Sequence, residues 1–508
     1  MPTLLTRIWT SRYKHALLPL SFLFGSLLNF GFYYLGLAYK DNIVRTYGFI
    51  VGQLLLAVLC GLAFLSAVKH ERMSKCAWAG LSAVFLFYCA NFAAGLLRHG
   101  LNSYWKDYFV HFVCFALPAL LAGVFGALSR AEQKLLPLME KISFFALPGG
   151  VIYLNGLLFN CNPFGYNRDF GIVDYMGFAY TIMPFLLVHI IQFCDCAPLE
   201  LPLLKRLAAR PQLLRGAMIA IYWVGIIGSG TRGTYVCVAG FCVLLVISKL
   251  IHKDGALRAF VVSAAMAAIL LFNIFIYAPE GMYGVGRMNM FLEGLKQGEI
   301  VTSTAEAGEI KDKLDSLVSA DGNQQVANRE DEPTNQTPAE PAEPSEPTKP
   351  AEPAEPSPIA PVGPTDPTPE DVVAENLVIG NRGTLYKLAW KEFLKSPLTG
   401  MGLSGYPVKY EHYPHNVILE LLCEGGVLLG VPILLLILWA VIRLLWIAQR
   451  DRSVRYLLLI FLTYAIRYNI SGYVWSCDVL LCAVGYGFSV RVIARGKKKK
   501  LYEESLHV

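Results

Sequence analysis

A histidine at the start of one apolar segment and an arginine between two others are the residues best suited to chemistry in this sequence. His415 lies in Tyr-Pro-His-Asn-Val-Ile-Leu-Glu (413–420), and Arg232 lies in Gly-Ser-Gly-Thr-Arg-Gly (228–233). An imidazole can accept a proton from a hydroxyl near neutral pH. A guanidinium keeps its charge and offers a planar fork of donors to phosphate oxygens. Together they point to chemistry at a membrane surface.

Two more arginines, Arg168 and Arg382, are candidates for the same site. Several guanidinium groups in one pocket suit a diphosphate better than a carboxylate. Arg382 lies near the start of a predicted helix, where free N–H groups and the helix dipole favour an anion. Arg168 can equally be an interfacial anchor or an ion-pair partner of Asp169. For Arg232, a minimal turn with glycine on either side favours binding over anchoring.

Polar residues recur every four positions on one side of the segment that follows His415, at Asn416, Glu420 and Glu424. Glu420 or another acid could orient the imidazole as a base. The alternative is that His415 is an amphipathic anchor at the membrane surface. We assign Asn416 and Glu420, with Arg168, to substrate binding.

The elements that position these residues are apolar helices. Hydrophobic residues make up 55% of the 508-residue chain and charged residues 16%, and apolar runs of about 20 residues recur. Such runs span the roughly 30 Å of hydrocarbon in a bilayer as helices. The sequence therefore predicts an all-α polytopic membrane protein. Its twelve predicted spans are 16–38, 47–67, 76–97, 108–128, 142–160, 172–193, 214–229, 233–251, 258–278, 416–447, 454–471 and 474–494.

Lysine and arginine concentrate in alternate loops, including 69–75, 130–141, 205–215 and 249–258. Because basic loops stay cytoplasmic, this pattern predicts that both termini are inside and that residues 279–414 form a large extracytoplasmic loop. The net charge of +6 is mostly this topology signal. No basic groove-binding motif is present, so we expect no nucleic-acid partner.

The chain divides at the long loop. We predict an N-terminal membrane domain (1–278), the extracytoplasmic loop (279–414), C-terminal membrane helices (415–495) and a basic cytoplasmic tail (496–508). Within the loop, residues 302–370 are rich in Pro and Glu and predict disorder. This insertion is either a spacer or a tether that reaches an external polymer layer. An amphipathic helix is predicted at 384–395, with Leu385, Leu388, Ala389, Phe393 and Leu394 sharing one face.

Nothing in the sequence calls for a metal or cofactor. Nearly all of the twelve cysteines lie within predicted spans, and Cys161 is the one candidate on the extracytoplasmic side. Cys194-Asp-Cys196 lacks a nearby histidine, which favours an incidental pair over a metal site. No zinc signature and no phosphate-cradling glycine-rich loop is present.

The order of four motifs resembles the bacterial O-antigen ligase and O-antigen polymerase family. They are Ser229-Gly-Thr-Arg-Gly233, Gly380-Asn-Arg-Gly-Thr-Leu-Tyr386, Pro397-Leu-Thr-Gly-Met-Gly402 and the segment 415–430 that opens with His-Asn and contains Glu-Gly-Gly. The similarity is most specific over residues 225–435. The acidic, proline-rich insertion departs from the compact loop expected of the family.

The resemblance implies a metal-independent, inverting glycosyltransferase of the multi-span lipid-donor (GT-C-like) class in the bacterial cytoplasmic membrane. Such enzymes take a glycan from undecaprenyl diphosphate at the outer face and join it to a hydroxyl of a glycan, lipid or protein acceptor. By position, Arg232 and Arg382 would bind the diphosphate, and His415 would act as the base or orient the acceptor. Ligase, polymerase and protein glycosylation remain open. Outside this class, a flippase for lipid-linked glycans or a non-catalytic membrane scaffold are the alternatives.

Overall fold

The computed structural model describes residues 4–34, 43–158, 169–170, 173–199, 210–229, 231–272, 382–472, 474 and 477–491. All of them belong to one of the two units of the chain, which comprises residues 1–292 and 382–508. The predictions for Arg168, Cys161, the Pro/Glu-rich insertion and the basic tail lie outside the described residues.

Helices make up nearly all of the described structure. The only strands among the described residues are the antiparallel pair Asp169–Phe170 and Val173–Asp174. In chain order the α-helices are α1 (Leu4–Thr10), α2 (Leu17–Tyr34), α3 (Ile43–His70), α4 (Lys75–His99), α5 (Ser103–His111), α6 (Leu117–Ser129), α7 (Glu132–Leu158), α8 (Tyr175–Cys194), α9 (Pro211–Gly228), α10 (Arg232–Ile251), α11 (Ala256–Phe272), α12 (Arg382–Lys395), α13 (Gly405–Tyr410), α14 (Val417–Gly425), α15 (Val431–Ala448), α16 (Arg452–Ser471) and α17 (Asp478–Ser489).

Each of the twelve predicted apolar segments contains a helix. Among the described residues, six helical segments are long and apolar enough to cross a membrane, and four more apolar helices are shorter. The chain is therefore a polytopic helical membrane protein, and twelve spans remain a prediction. The six segments are Tyr47–His70, Lys75–His99, Ser103–Ser129, Pro211–Gly228, Gly233–Ile251 and Val417–Ala448.

Helices α6 and α17 pack closely in the core, and glycine makes the approach possible. A Cβ at Gly123 would lie 2.1 Å from the carbonyl oxygen of Cys482, and one at Gly485 would lie 2.1 Å from that of Leu120. Small residues let helix backbones approach closely in a membrane, where dispersion contacts hold helices together. Any larger residue at either position would push these helices apart.

The long apolar segment after His415 is interrupted as its glycines predict. Helix α14 ends at Gly425, a π-helical turn runs from Gly426 to Gly430, and α15 begins at Val431. Gly426 has a φ of 60°, which glycine adopts without strain. A Cβ at Gly430 would lie 1.9 Å from the carbonyl oxygen of Leu421. The break keeps α14 as a separate short helix that can be positioned independently of α15.

Helix α12 occupies the position of the predicted amphipathic helix, but its buried face differs from the predicted one. Leu385, Ala389 and Glu392 are buried, whereas Leu394 is 59% exposed and Trp390 is 46% exposed. The buried face includes a carboxylate because Glu392 accepts hydrogen bonds from neighbouring side chains. The exposed apolar residues suit contact with lipid at the membrane surface.

Two of the basic residues that predict the topology are buried inside the helix bundle. Arg215 is fully buried and forms a two-pronged ion pair with Glu140, with Nε–Oε1 2.7 Å and Nη2–Oε2 3.0 Å. Lys249 is also buried and pairs with Asp195. Both residues therefore join helix ends through charge-assisted hydrogen bonds. This structural role is separate from their use in predicting the topology.

Candidate functional site

The last turn of α16 joins two of the segments predicted to carry the site. The backbone carbonyl of Asn469 accepts a hydrogen bond from Nδ2 of Asn416 (3.0 Å) and another from the hydroxyl of Tyr386 (3.3 Å). Tyr386 lies one turn into α12, which begins at Arg382, and Asn416 follows His415 directly. The start of α12 and the start of α14 therefore meet at a single residue.

The start of α10 lies against the same end of α16. A Cβ on Gly233 would lie 2.4 Å from the hydroxyl oxygen of Tyr180 and 3.6 Å from Cγ2 of Ile470. Arg232, the first residue of α10, precedes this contact. The N-termini of α10, α12 and α14 thus all adjoin the end of α16, although the side chains of Arg232 and Arg382 are not among the described ones.

Buried hydroxyl groups fix the turn before Arg232. The Ser229 hydroxyl donates to the carbonyl of Ile226 (2.7 Å) and accepts the backbone N–H of Thr231 (3.2 Å). Ser and Thr side chains commonly stabilise turns in this way. From the sequence, Gly233 is expected to be glycine because of the turn. The structure gives a different reason, because a side chain at position 233 would collide with the Tyr180 hydroxyl.

His415 has a backbone conformation that is uncommon for a residue other than glycine. Its φ is 57°, in the left-handed region, and its ring centroid lies 4.1 Å from that of Tyr413. Such conformations cost of order 1–3 kcal/mol and cluster at functional sites. His415 is half-buried, so part of it remains accessible from the surface. Its ring is in contact with that of Tyr413.

Asn416 has a positioning function in the structure. Its Oδ1 accepts the N–H of Leu419 (3.0 Å) and so caps α14, while its Nδ2 donates to Asn469. Both ends of the amide are therefore engaged by the protein. The substrate-binding role predicted for Asn416 stays a prediction, and the geometry favours its holding His415 in place.

Glu420 is fully buried in α14. Its Oε2 accepts the backbone N–H of Val474 at 2.8 Å. This bond fastens the segment before α17 to the helix that follows His415. The role predicted for Glu420 in orienting the imidazole or binding substrate stays a prediction.

The Pro397–Gly402 motif forms a brace between α12, α14 and α4. The backbone N–H groups of Met401 and Gly402 donate to the carbonyls of Cys423 (2.7 Å) and Glu424 (2.8 Å) at the end of α14. From α4, Arg98 donates to the carbonyl of Gly400 (2.6 Å). His99 donates from Nε2 to the carbonyl of Met401 in the same way (2.8 Å). The motif thus positions α14.

The Cys194-Asp-Cys196 segment is held by charged groups. Asp195 pairs with Lys249 and accepts a hydrogen bond from the Tyr456 hydroxyl (2.7 Å), while Arg258 contacts the Cys196 sulfur (2.6 Å). Across the part of the chain that the structure describes, no three His, Cys, Asp or Glu side chains are grouped closely enough to hold a metal ion.

A family model described as "O-Antigen ligase" matches residues 217–434. Over those residues the chain is similar to the O-antigen ligase family. The resemblance predicted from the sequence motifs is thereby confirmed. No curated protein and no solved structure matches the chain.

The family and the apolar helices together define the broad class. The chain is an O-antigen ligase-like enzyme of polysaccharide assembly, a multi-pass inner-membrane protein that serves biogenesis of the cell envelope. The matched region includes the Arg232 turn, the start of α12 and the His415 segment. Helix α16, against which all three lie, comes after the matched region.

One arginine near the end of α16 has surroundings that the sequence did not reveal. The Cζ atom of Arg467 lies 4.3 Å from the ring centroid of Tyr180, 5.5 Å from that of Tyr468 and 5.6 Å from that of Tyr464. The signal in the sequence is an arginine near the end of an otherwise apolar helix. Ionisable residues in membrane helices are more often functional than incidental.

Proposed function

We propose that this O-antigen ligase-like enzyme transfers a glycan from undecaprenyl diphosphate to a hydroxyl of a glycan, lipid or protein acceptor at the outer face of the membrane. The observation that supports this most is the pair of hydrogen bonds at the Asn469 carbonyl. They bring the helix that begins at Arg382 beside the residue that follows His415. A diphosphate-binding arginine and a base are needed on adjoining elements for such a transfer.

The donor's diphosphate would be held by Arg232 and Arg382 at the N-termini of α10 and α12. Guanidinium groups hold phosphate oxygens by paired, charge-assisted hydrogen bonds, and the helix dipoles add to the attraction. Because fixed positive charges can stabilise a departing diphosphate, the transfer needs no metal ion. The surrounding membrane lipids accommodate the polyprenyl chain.

In the transfer step, the oxygen of the acceptor hydroxyl forms a bond to the anomeric carbon of the glycan. His415 takes the hydroxyl proton, as a general base. The bond between the anomeric carbon and the phosphate oxygen breaks on the opposite side, and its electron pair leaves with undecaprenyl diphosphate. Attack opposite the leaving group inverts the anomeric configuration. Arg232 and Arg382 stabilise the charge that develops on the leaving diphosphate.

The test is transfer by the purified protein in nanodiscs, with a synthetic lipid-diphosphate glycan as donor and EDTA present. Wild type should form product with inverted configuration, read by NMR of the new glycosidic bond. Arg232→Lys and Arg382→Lys keep the charge but lose the fork, so donor binding and turnover should both fall. Arg450→Lys is the matched control, because Arg450 is exposed in the turn between α15 and α16, over the Trp446 ring.

Two results would contradict the proposal. The arginine mechanism fails if wild-type activity vanishes in EDTA and returns with magnesium. The transferase assignment fails if the protein, reconstituted in liposomes, moves the donor from one leaflet to the other without forming any new glycosidic bond.

A further inference from the structure

Arg467 lies one turn before the end of α16, between the residues that hold the three predicted site segments. The ring of Tyr180 connects it to α10, since the Tyr180 ring lies 4.3 Å from the Arg467 guanidinium and its hydroxyl lies against Gly233. Two residues further along α16, Asn469 accepts the hydrogen bonds from Asn416 and Tyr386. Arg467 therefore lies close to the starts of α10, α12 and α14.

Aromatic rings surround the guanidinium of Arg467. Three tyrosines, Tyr180, Tyr464 and Tyr468, place their ring centroids within 4.3 to 5.6 Å of its Cζ atom. Cation–π contacts of this kind hold a guanidinium in place and are worth about 0.5–2 kcal/mol each. A cation–π contact does not itself use an N–H group as a hydrogen-bond donor.

Those N–H groups have no protein acceptor in the described part of the chain. Arg467 donates no hydrogen bond and forms no ion pair with any described residue, and its buried Nε has no partner. A buried donor left unsatisfied costs about 1–3 kcal/mol, which makes it rare in folded proteins. A ligand acceptor would remove that cost.

Other arginines in the same helix bundle are satisfied by the protein. Arg215 forms its two-pronged pair with Glu140, and Arg443 donates to the carbonyls of Phe488 (2.6 Å) and Val490 (2.7 Å). Both therefore have a structural role that accounts for them. Arg467 differs because aromatic rings hold it and no described residue accepts a hydrogen bond from it. The Asp478 carboxylate interacts with it electrostatically but accepts its hydrogen bond from Tyr468.

We propose that Arg467 is a third arginine that binds the diphosphate of the lipid-linked donor, beside Arg232 and Arg382, an inference that rests on the proposed function. A diphosphate carries several negative oxygens, and a rigid guanidinium is the side chain best matched to them. The three tyrosine rings lower the polarity around the half-buried charge, which strengthens its attraction for phosphate. Arg467 contributes binding of the donor and of the leaving undecaprenyl diphosphate.

The competing interpretation is that Arg467 only stabilises the packing of α8 against α16 through its aromatic contacts. Under that interpretation, removing the guanidinium lowers thermal stability and changes ligand affinity no more than other destabilising changes do. Lysine at position 467 would then be nearly equivalent, because an ammonium also makes cation–π contacts. Affinity and stability must therefore be measured together.

The experiment uses the full chain in phosphatidylcholine nanodiscs, with undecaprenyl diphosphate and undecaprenyl monophosphate as separate probes. Affinity is measured by microscale thermophoresis and the unfolding midpoint by scanning fluorimetry. The variants are Arg467→Gln and Arg467→Lys, and Arg443→Gln is the control for loss of a structural arginine. We expect Arg467→Gln to weaken diphosphate binding by roughly 10- to 100-fold, the loss typical of charge-assisted hydrogen bonds. The monophosphate should lose less, and Arg443→Gln should lower the midpoint and leave affinity unchanged.

The inference is overturned if Arg467→Gln, or Arg467→Lys where the glutamine variant does not fold, binds undecaprenyl diphosphate within twofold of wild type. It is also overturned if affinity falls only as far as it does in Arg443→Gln at a matched loss of midpoint. The transfer assay with EDTA decides the proposed function separately. If wild type transfers the glycan and Arg467→Gln binds and transfers as well as wild type, the role of Arg467 is rejected and the transferase function is retained. If wild type binds the lipid diphosphate through Arg467 but transfers no glycan, the binding site is retained and the transferase function is rejected.

Discussion

The side-chain amide of Asn416 donates to the backbone carbonyl of Asn469 across 3.0 Å. The same side chain accepts the N–H of Leu419 and caps α14. One residue thus fixes both the start of the helix that follows His415 and its distance from the end of α16. The position of His415 depends on this link, because His415 itself is in a conformation that the surrounding structure must impose.

Two substitutions at Asn416 separate the cap from the link. Asn416→Asp keeps an oxygen that can cap α14 but loses the donor to Asn469, whereas Asn416→Ala loses both. Loss of an N-cap costs about 0.5–2 kcal/mol. We expect Asn416→Ala to lower the unfolding midpoint more than Asn416→Asp, and both to lower transfer activity. Full activity in Asn416→Asp would show that the link to Asn469 does not position His415.

Gly233→Ala should destabilise the protein, because the new methyl group would lie 2.4 Å from the Tyr180 hydroxyl oxygen. Overpacking of this kind costs about 1–3 kcal/mol. Tyr180→Phe removes that oxygen and leaves the nearest ring carbon, Cζ, 3.6 Å away, so the double variant should recover most of the unfolding midpoint. Scanning fluorimetry of the purified variants measures this.

Gly61→Ala is the matched control for that substitution. Gly61 also lies in an apolar helix, and a Cβ there would meet nothing within 4 Å. Alanine should leave the midpoint unchanged or raise it, because alanine favours helix over glycine. If Gly233→Ala is as stable as Gly61→Ala, Gly233 does not lie against the Tyr180 hydroxyl, and the described packing of α10 is contradicted.

Glu392 joins α12 to α13 and should make the stability of the predicted outer segment depend on pH. Its Oε1 accepts hydrogen bonds from Tyr410 (2.8 Å), Lys395 (3.0 Å) and Lys409 (3.2 Å). Burial raises the pKa of this carboxyl, but the hydrogen bonds from Tyr410, Lys395 and Lys409 outweigh that effect. The pKa is therefore lowered from its ordinary value.

The lowered pKa determines how the stability changes with pH. The ionised carboxylate stabilises the folded protein above the ordinary glutamate pKa of about 4.3, and this contribution is lost as the pH falls through the lower folded pKa. Wild type should have a higher unfolding midpoint than Glu392→Gln at pH 7, and the difference should shrink below about pH 4. Glu411→Gln, at an exposed position, should match wild type throughout. A difference that grows on acidification would contradict the assignment.

The sequence predicts the helices well because few backbone structures can cross a membrane. An apolar run of about 20 residues must satisfy its backbone hydrogen bonds internally, and a helix does so. The break at 425–430 was also predictable, since glycines clustered before a proline disfavour a continuous helix. The family followed from the order of short motifs around Arg232, Arg382 and His415, and the family match to residues 217–434 agrees with it.

The contacts between distant segments could not be read from the sequence. Gly233 looked like a turn residue, and only the position of Tyr180 on another helix shows why a side chain does not fit there. Arg215 looked like a loop charge, yet it is buried against Glu140. Likewise, Arg467 is distinguished by three aromatic neighbours, which periodicity and composition do not reveal.

Single-turnover transfer from a lipid-diphosphate glycan by purified protein in EDTA tests the central claim most directly, with donor affinity measured on the same samples. The comparison is among wild type, His415→Ala and His412→Ala, the last being an exposed histidine three residues away. We expect His415→Ala to bind the donor as wild type does while transfer falls by about 10²- to 10⁴-fold, the usual contribution of a positioned base. His412→Ala should behave as wild type. Undiminished transfer by His415→Ala would contradict the claim that the site at the end of α16 performs the chemistry.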